Sequence, residues 1–282
     1  MPLSPTGKGA EGGSRPDPLP RGEKGSRGSF VKIVRFKAAG KTRYGALEGN
    51  RVVEYAGTPY STFKKARKTY PLRQMVLLAP VVPSKVVVVG PNYRDHAEEL
   101  YSATAEEPAI FFKPTSALCG PDDPIVFPPQ AMRVDYEAEL AVVMKKPCRH
   151  VPAERAREYV LGYTCLNDVT ARDLEARDRQ PGRAKAFDTF CPVGPCVATD
   201  IDPNGVDIET YLNGEKKQCS NTKHLAFPVE DLVARVSAVM TLLPGDVIAT
   251  GTPAGSGPMQ PGDRVEVRIE GIGSLRNPVI KI

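Results

Sequence analysis

The sequence predicts an α+β fold rich in strands, on three observations. Short apolar runs with period-two alternation recur along most of its 282 residues. Helical patterns are few and do not alternate regularly with those runs, which argues against a doubly wound parallel sheet. Pro-Gly-Asp turns precede two alternating runs, in "LPGDVIATG" and "QPGDRVEVRIEGIG". A chain of this length can bury a core that holds a rigid site without disulfides, and it fits one large domain with a small one.

Residues 1–29 combine Gly, Pro, Ser and charge with almost nothing to bury, so a disordered tail is expected. From Phe30, "FVKIVRF", "TRYGALEG" and "RVVEYAG" are strand-like runs separated by "AAGK" and "EGN" turns, which predicts a small N-terminal β domain over 30–80. The larger domain then spans 81–282. In it "KVVVVG" reads as a buried strand, and helices are predicted at "NYRDHAEELYS", "PAERAREYVL", "TARDLEARD" and "PVEDLVARVSAVMTL", the last opened by Pro228.

Charge and cysteine usage narrow the function classes. Lys and Arg number 38 against 33 Asp and Glu, a net +5, and the tail holds five basic and three acidic residues, leaving +3 for the body. That balance is too weak to support nucleic-acid binding. The six cysteines form no C-x-x-C pair and no signal-peptide core opens the chain, so reduced thiols in the cytoplasm are expected. The acidic, Pro/Gly-rich tail makes a poor amphipathic transit helix, with organelle import kept as the alternative setting. No apolar run approaches the roughly 18 residues of a membrane span.

The stretch "VDYEAEL", residues 134–140, places Val134, Tyr136, Ala138 and Leu140 on one face of a strand and Asp135, Glu137 and Glu139 on the other. Stacked like charges repel, so either water solvates this face or a cation sits on it. Further on, "GYTCLNDVTARDLEARD" reads as a strand running into Asp168, with Thr170-x-x-Asp173 able to cap a helix. Glu137, Glu139 and Asp168 together would make an all-oxygen site suited to Mg²⁺ or Mn²⁺ more than to Ca²⁺. With three histidines in the chain, a nitrogen-rich zinc site is hard to assemble.

Two further groups carry chemistry. In "GPNYRDHAEEL", His96 and Glu99 meet on one face if the segment is helical, so the carboxylate can orient an imidazole base; a surface ion pair is the alternative. Lys185, in "GRAKAFDTFCP", could offset charge on an enolate or oxyanion, or be an ordinary exposed loop lysine. The glycine-rich "TGTPAGSG" lacks the Gly-Lys-Ser/Thr of a phosphate loop and leads to a strand, which excludes nucleotide binding there. Thr252 and nearby amides can still hold a carboxylate.

Taken in order, "GPNYRDHAEE", "FFKPTSAL", "RVDYEAELAVV", "LNDVTARDL", "RAKAFDTFCPVGP", "ATGTPAGSGP" and "EGIGSLRNPV" resemble the fumarylacetoacetate hydrolase family. The branch most resembled contains acylpyruvate hydrolases, oxaloacetate decarboxylases and hydroxyheptadienedioate isomerase/decarboxylases. The resemblance runs from about residue 84 to the C-terminus. It implies a mixed β-sandwich roll for the catalytic domain, a homodimer, metal ligation by Glu137, Glu139 and Asp168, a His96/Glu99 dyad and an active-site Lys185. Arg172 and Thr252 match positions near the substrate's carboxylate. This chain has Glu175 where the family usually carries glutamine and Pro181 where tryptophan is frequent; both are expected to border the pocket. The implied reaction is Mg²⁺- or Mn²⁺-dependent cleavage of a carbon–carbon bond in a 2-oxo acid, through a metal-bound pyruvate enolate. Acylpyruvate or fumarylpyruvate hydrolysis and oxaloacetate decarboxylation both fit. The alternative is a 2-hydroxyhepta-2,4-diene-1,7-dioate isomerase acting also as 5-carboxymethyl-2-oxo-hex-3-ene-1,7-dioate decarboxylase. A metal-stabilised binding protein without catalysis would have no use for His96, Glu99 and Lys185.

Overall fold

The computed structural model describes residues 31–94 and 106–281. The expected tail, and most of the helix predicted from Asn92 with His96 and Glu99, lie outside those residues. Four antiparallel strands open the chain: β1 (Lys32–Ala38), β2 (Lys41–Glu48), β3 (Arg51–Gly57) and β4 (Phe63–Pro71). Ala39 and Gly40, both at positive φ, make the tight β1–β2 turn that a two-residue hairpin requires. β4, "FKKARKTYP", escaped the sequence reading because it is a lysine-rich edge strand with no buried residue to mark a period. β5 (Val76–Leu78) returns to pair with β1.

The strands that follow are β6 (Val86–Val89), β7 (Ile110–Lys113), β8 (Leu118–Cys119), β9 (Ile125–Phe127), β10 (Val134–Tyr136), β11 (Ala138–Met144), β12 (Val160–Asn167) and β13 (Thr170–Ala171). After helix α1 (Arg172–Asp178) come β14 (Cys191–Ala198), β15 (Asp207–Leu212) and β16 (Glu215–Asn221). After helix α2 (Val229–Val239) come β17 (Val247–Ala249), β18 (Gly257–Met259), β19 (Arg264–Ile269) and β20 (Gly273–Lys281). The largest sheet runs β4-β3-β2-β1-β14-β12-β11-β17-β6-β7, so the N-terminal meander continues into it through β1 and β14, with Ile33 opposite Val197. A second sheet runs β16-β15-β19-β20-β9, and a third, small one β13-β10-β18.

The fold is mostly β, and its central strands are covered on both faces. Along β11, Leu140, Val142 and Met144 enter one apolar cluster with α2, while Ala141 and Val143 enter another with β6, as a period of two dictates. This is why "AELAVVM" and "VVVV" read as continuous apolar runs. α2 buries Val229, Leu232, Val233 and Val236, an i, i+3, i+4, i+7 stripe, and carries Glu230 and Asp231 in its first turn, where acids complement the helix dipole. Among the described residues no helix is long and apolar enough to cross a membrane.

Two helix readings need correction. "PAERAREYVL" is a 3-10 segment, Ala153–Tyr159, that gives way to β12 at Val160; Ala156 is its one buried residue, and without an apolar stripe a longer helix has nothing to pack. The helix at "TARDLEARD" begins at Arg172 without a capping box. The Thr170 hydroxyl donates to the Asp168 carbonyl at 2.9 Å instead, and the Asp173 carboxylate accepts the N–H groups of Met132 and Arg133, each at 3.2 Å.

Candidate active site

The alternation of "VDYEAEL" is interrupted at Glu137, which sits between β10 and β11. The break is fixed by β12: the Glu137 N–H donates to Asn167 Oδ1 at 2.9 Å, and its carbonyl accepts the Asp168 N–H at 2.8 Å. Glu139 lies two residues on, in β11, opposite Leu166 of β12. Asp168 follows the end of β12. The result brings Glu137, Glu139 and Asp168 together, all buried, with a carboxylate oxygen of each within 4.8 Å of the others. Asp135 diverges from them, gripped by Arg133 at 2.8 and 3.0 Å and by Arg172 Nε at 3.1 Å.

Like charges about 4 Å apart repel by roughly 4 kcal/mol per pair even at an effective dielectric of 20, so the triad requires cations. Lys185, buried in a loop, donates to Glu137 Oε2 at 2.8 Å, Asp168 Oδ2 at 2.6 Å and Thr170 Oγ1 at 2.8 Å. Its loop is pinned by Ala171 N–H to the Ala184 carbonyl at 2.9 Å and by its own N–H to the Pro181 carbonyl at 3.0 Å. Lys113, at the end of β7, donates to Asp168 Oδ1 at 2.5 Å and to the Val169 carbonyl at 2.9 Å. Arg172 donates through Nη2 to Glu137 and through Nη1 to Glu175 at 2.5 Å, one turn along α1.

Compensation is uneven. Burial would raise the Glu137 pKa, but the Lys185 and Arg172 charges outweigh it and hold it below the usual carboxylate range. Glu139 accepts the Gly251 N–H at 2.7 Å, and no lysine or arginine among the described residues donates to it. Burial, with Asp168 and Glu137 beside it, pushes its carboxyl well above the usual value. Burial alone would lower the Lys185 pKa, but Asp168 and Glu137 raise it, so Lys185 is a fixed cation and not a base. In formal charges among the described residues, Asp135, Glu137, Glu139, Asp168 and Glu175 face Lys113, Arg133, Arg172 and Lys185, one negative charge in excess. Three buried carboxylates, one without a lysine or arginine donor among the described residues, fit a hard divalent cation with oxygen ligands. Such an ion would reverse the sign of the excess.

These groups form the floor of a cavity of about 530 Å³. Arg172, Glu175, Pro181, Lys185 and Thr252 line it with the three carboxylates, and Val89, Pro91, Ala109, Ile110 and Phe111 supply an apolar wall. The "TGTP" motif serves the floor. Gly251 has φ +94°, and a Cβ there would lie 2.9 Å from Asn92 Cβ, so glycine alone lets its N–H reach Glu139. Thr252 Oγ1 accepts from Gln218 Nε2 at 2.9 Å, and Gln218 Oε1 also takes the Ala138 N–H at 3.1 Å.

The structure thus brings Glu137, Glu139, Asp168, Lys185, Arg172, Glu175 and Thr252 to one cavity, and His96 and Glu99 lie outside the described residues. Lys113 and Gln218 were missed. "FFKP" does hold a signal for Lys113, a lysine closing a strand-like run of aromatics; Gln218 has none, since its neighbours "KKQCS" read as surface.

The family described as fumarylacetoacetate hydrolase C-terminal matches residues 85–280, and that of Rv2993c-like N-terminal regions matches residues 31–80. A mitochondrial oxaloacetate tautomerase of Rattus norvegicus is 42% identical over 222 residues, covering 74% of this chain and 71% of its own. The crystal structure of a 5-carboxymethyl-2-hydroxymuconate delta-isomerase from Mycobacterium smegmatis superposes with a TM-score of 0.84 at 44% identity, covering 89% of this chain and 100% of that one. A maleylpyruvate hydrolase from Sphingobium sp. SYK-6, solved with manganese(II) and pyruvate, gives 0.75 at 32% identity, covering 89% and 99%.

Proposed function

Because this chain belongs to the fumarylacetoacetate hydrolase family, we propose that it cleaves a carbon–carbon bond in a 2-oxo acid, with an acylpyruvate as substrate and Mg²⁺ or Mn²⁺ as cofactor. The observation that carries the reading is the buried triad of Glu137, Glu139 and Asp168 on the floor of a cleft of about 530 Å³. When bound there, the cation supplies Lewis acidity toward the substrate's carboxylate and 2-oxo oxygens.

The chain's own residues do the rest. His96 takes a proton from water on a ring nitrogen while Glu99 orients the imidazole, and the water oxygen attacks the distal carbonyl carbon. The bond between that carbon and the pyruvyl methylene breaks, releasing a carboxylic acid and the enolate of pyruvate. His96 returns the proton to the enolate carbon. Lys185, held as a cation 5.3 Å from the Phe111 ring, offsets the charge that develops on the oxygen. Arg172 and Thr252 position the substrate carboxylate. The full reading includes a homodimer with a catalytic unit over 81–282 and a cytoplasmic setting, the mitochondrial address being that of the rat relative.

Chelation should abolish acylpyruvate hydrolysis and Mg²⁺ or Mn²⁺ restore it. His96→Ala should lower kcat by about 10² to 10⁴, the usual worth of general base catalysis. Equal turnover by metal-stripped and metal-loaded protein would overturn the reading. The isomerase and tautomerase named among the relatives support a second one, proton transfer across an enol or dienol without attacking water. Isomerisation of a hydroxydienedioate, with no acylpyruvate cleaved, would decide for it.

A further inference from the structure

The cleft is charged on its floor and apolar above it, and the two cations that line it among the described residues already hold carboxylates of the protein. Three of the five N–H groups of the Arg172 guanidinium donate to carboxylates, from Nε to Asp135, from Nη2 to Glu137 and from Nη1 to Glu175. The Lys185 ammonium has three protons and three acceptors. Among the described residues no other lysine, arginine or histidine lines the cavity. Glu175 instead adds a negative charge to the wall, beside Pro181.

We propose that this site selects 2-oxo acids with a single carboxylate and an uncharged, apolar tail, and that Glu175 enforces the choice. Glu175 acts in two ways: it offsets the Arg172 charge that would draw a second carboxylate, and it repels that carboxylate directly. The tail packs against Ile110, Phe111 and Pro181, where burial of apolar area favours it and a bare carboxylate would be desolvated without a partner.

This inference rests on the 2-oxo acid reading above, and binding of two inert probes separates the two. The probes are 2-oxoglutarate and 5-methyl-2-oxohexanoate, in which two methyl groups replace the distal carboxylate oxygens; neither carries the second carbonyl needed for cleavage. Titration calorimetry on the Mg²⁺-loaded protein should give a Kd for the methyl isostere at least about tenfold below that for 2-oxoglutarate, since like-charge juxtaposition is costly at a buried site. In Glu175→Gln that ratio should contract at least about fivefold through tighter 2-oxoglutarate binding. Glu175→Asp, which keeps the charge, should retain the wild-type preference. Equal or tighter binding of 2-oxoglutarate by the wild type, or an unchanged ratio in Glu175→Gln, overturns the proposal while leaving the 2-oxo acid reading intact. Failure of both probes to bind removes the 2-oxo acid reading and the proposal with it.

Discussion

Replacing Lys113 with methionine keeps most of the aliphatic stem and removes only the ammonium. That group sits 2.5 Å from Asp168 Oδ1 and 2.9 Å from the Val169 carbonyl, with both side chains of the ion pair fully buried. Removing one partner of a buried pair costs about 3–5 kcal/mol because the other charge is left uncompensated. Asp168 keeps Lys185 on its second oxygen at 2.6 Å, so the lower end, about 3 kcal/mol, applies. At about 2–4 °C per kcal/mol for a chain of this size, Lys113→Met should melt roughly 6–12 °C below wild type in chelator. Saturating Mg²⁺ should narrow the gap, because a cation on the triad replaces the lost charge and binds the variant more tightly; occupancy at about 100 times Kd is worth about 2.7 kcal/mol. Calorimetric melting with chelator and with excess Mg²⁺ measures both effects. A variant melting within about 2 °C of wild type in chelator, or a deficit that Mg²⁺ leaves unchanged, would refute the reasoning.

Two other outcomes follow from the charges and thiols. Burial would raise Glu266, yet hydrogen bonds from Arg276, Ser274 and Arg268 hold its carboxyl down from 4.5 to about 2. A depressed folded pKa gives stability that is present above about pH 4.5 and lost as pH falls toward 2, so the urea-unfolding advantage of wild type over Glu266→Gln should vanish across that window; a pH-independent difference would contradict it. Of the six cysteines only Cys219 is exposed, while burial pushes the Cys191 and Cys196 thiols up to about 12, so native protein should give one rapid equivalent with Ellman's reagent and the other five only when unfolded. Two or more rapid equivalents would contradict the burial.

The carboxylates were legible because alternation and a strand end are local signals: "VDYEAEL" and "CLND" declare themselves within eight residues. What alternation could not show is that the strand stops at Glu137 and that Asp135 turns to Arg133 and Arg172, since those partners come from positions the pattern ignores. Lys113 and Gln218 reach the site through contacts distant in sequence, among them Asp168 at 55 residues and Ala138 at 80, and nothing beside them announces it. β4 and the 3-10 segment failed for the opposite reason. Each is a surface element whose form is set by its neighbours and not by its own apolar period.

The parallel pairing of β6 with β17 has a consequence for how this protein is made. Val86–Val89 must lie beside Val247–Ala249, strands that leave the ribosome far apart in time. At about 5–20 residues per second, the four valines wait on the order of ten to thirty seconds for that neighbour, with β7 the one flanking strand already synthesised. The run is four residues long and stands between Lys85 and Gly90-Pro91, and a charge and a proline at its ends discourage it from templating other nascent chains during that interval. The residues that bound this strand therefore matter before the fold exists, because they guard its edge until β17 arrives.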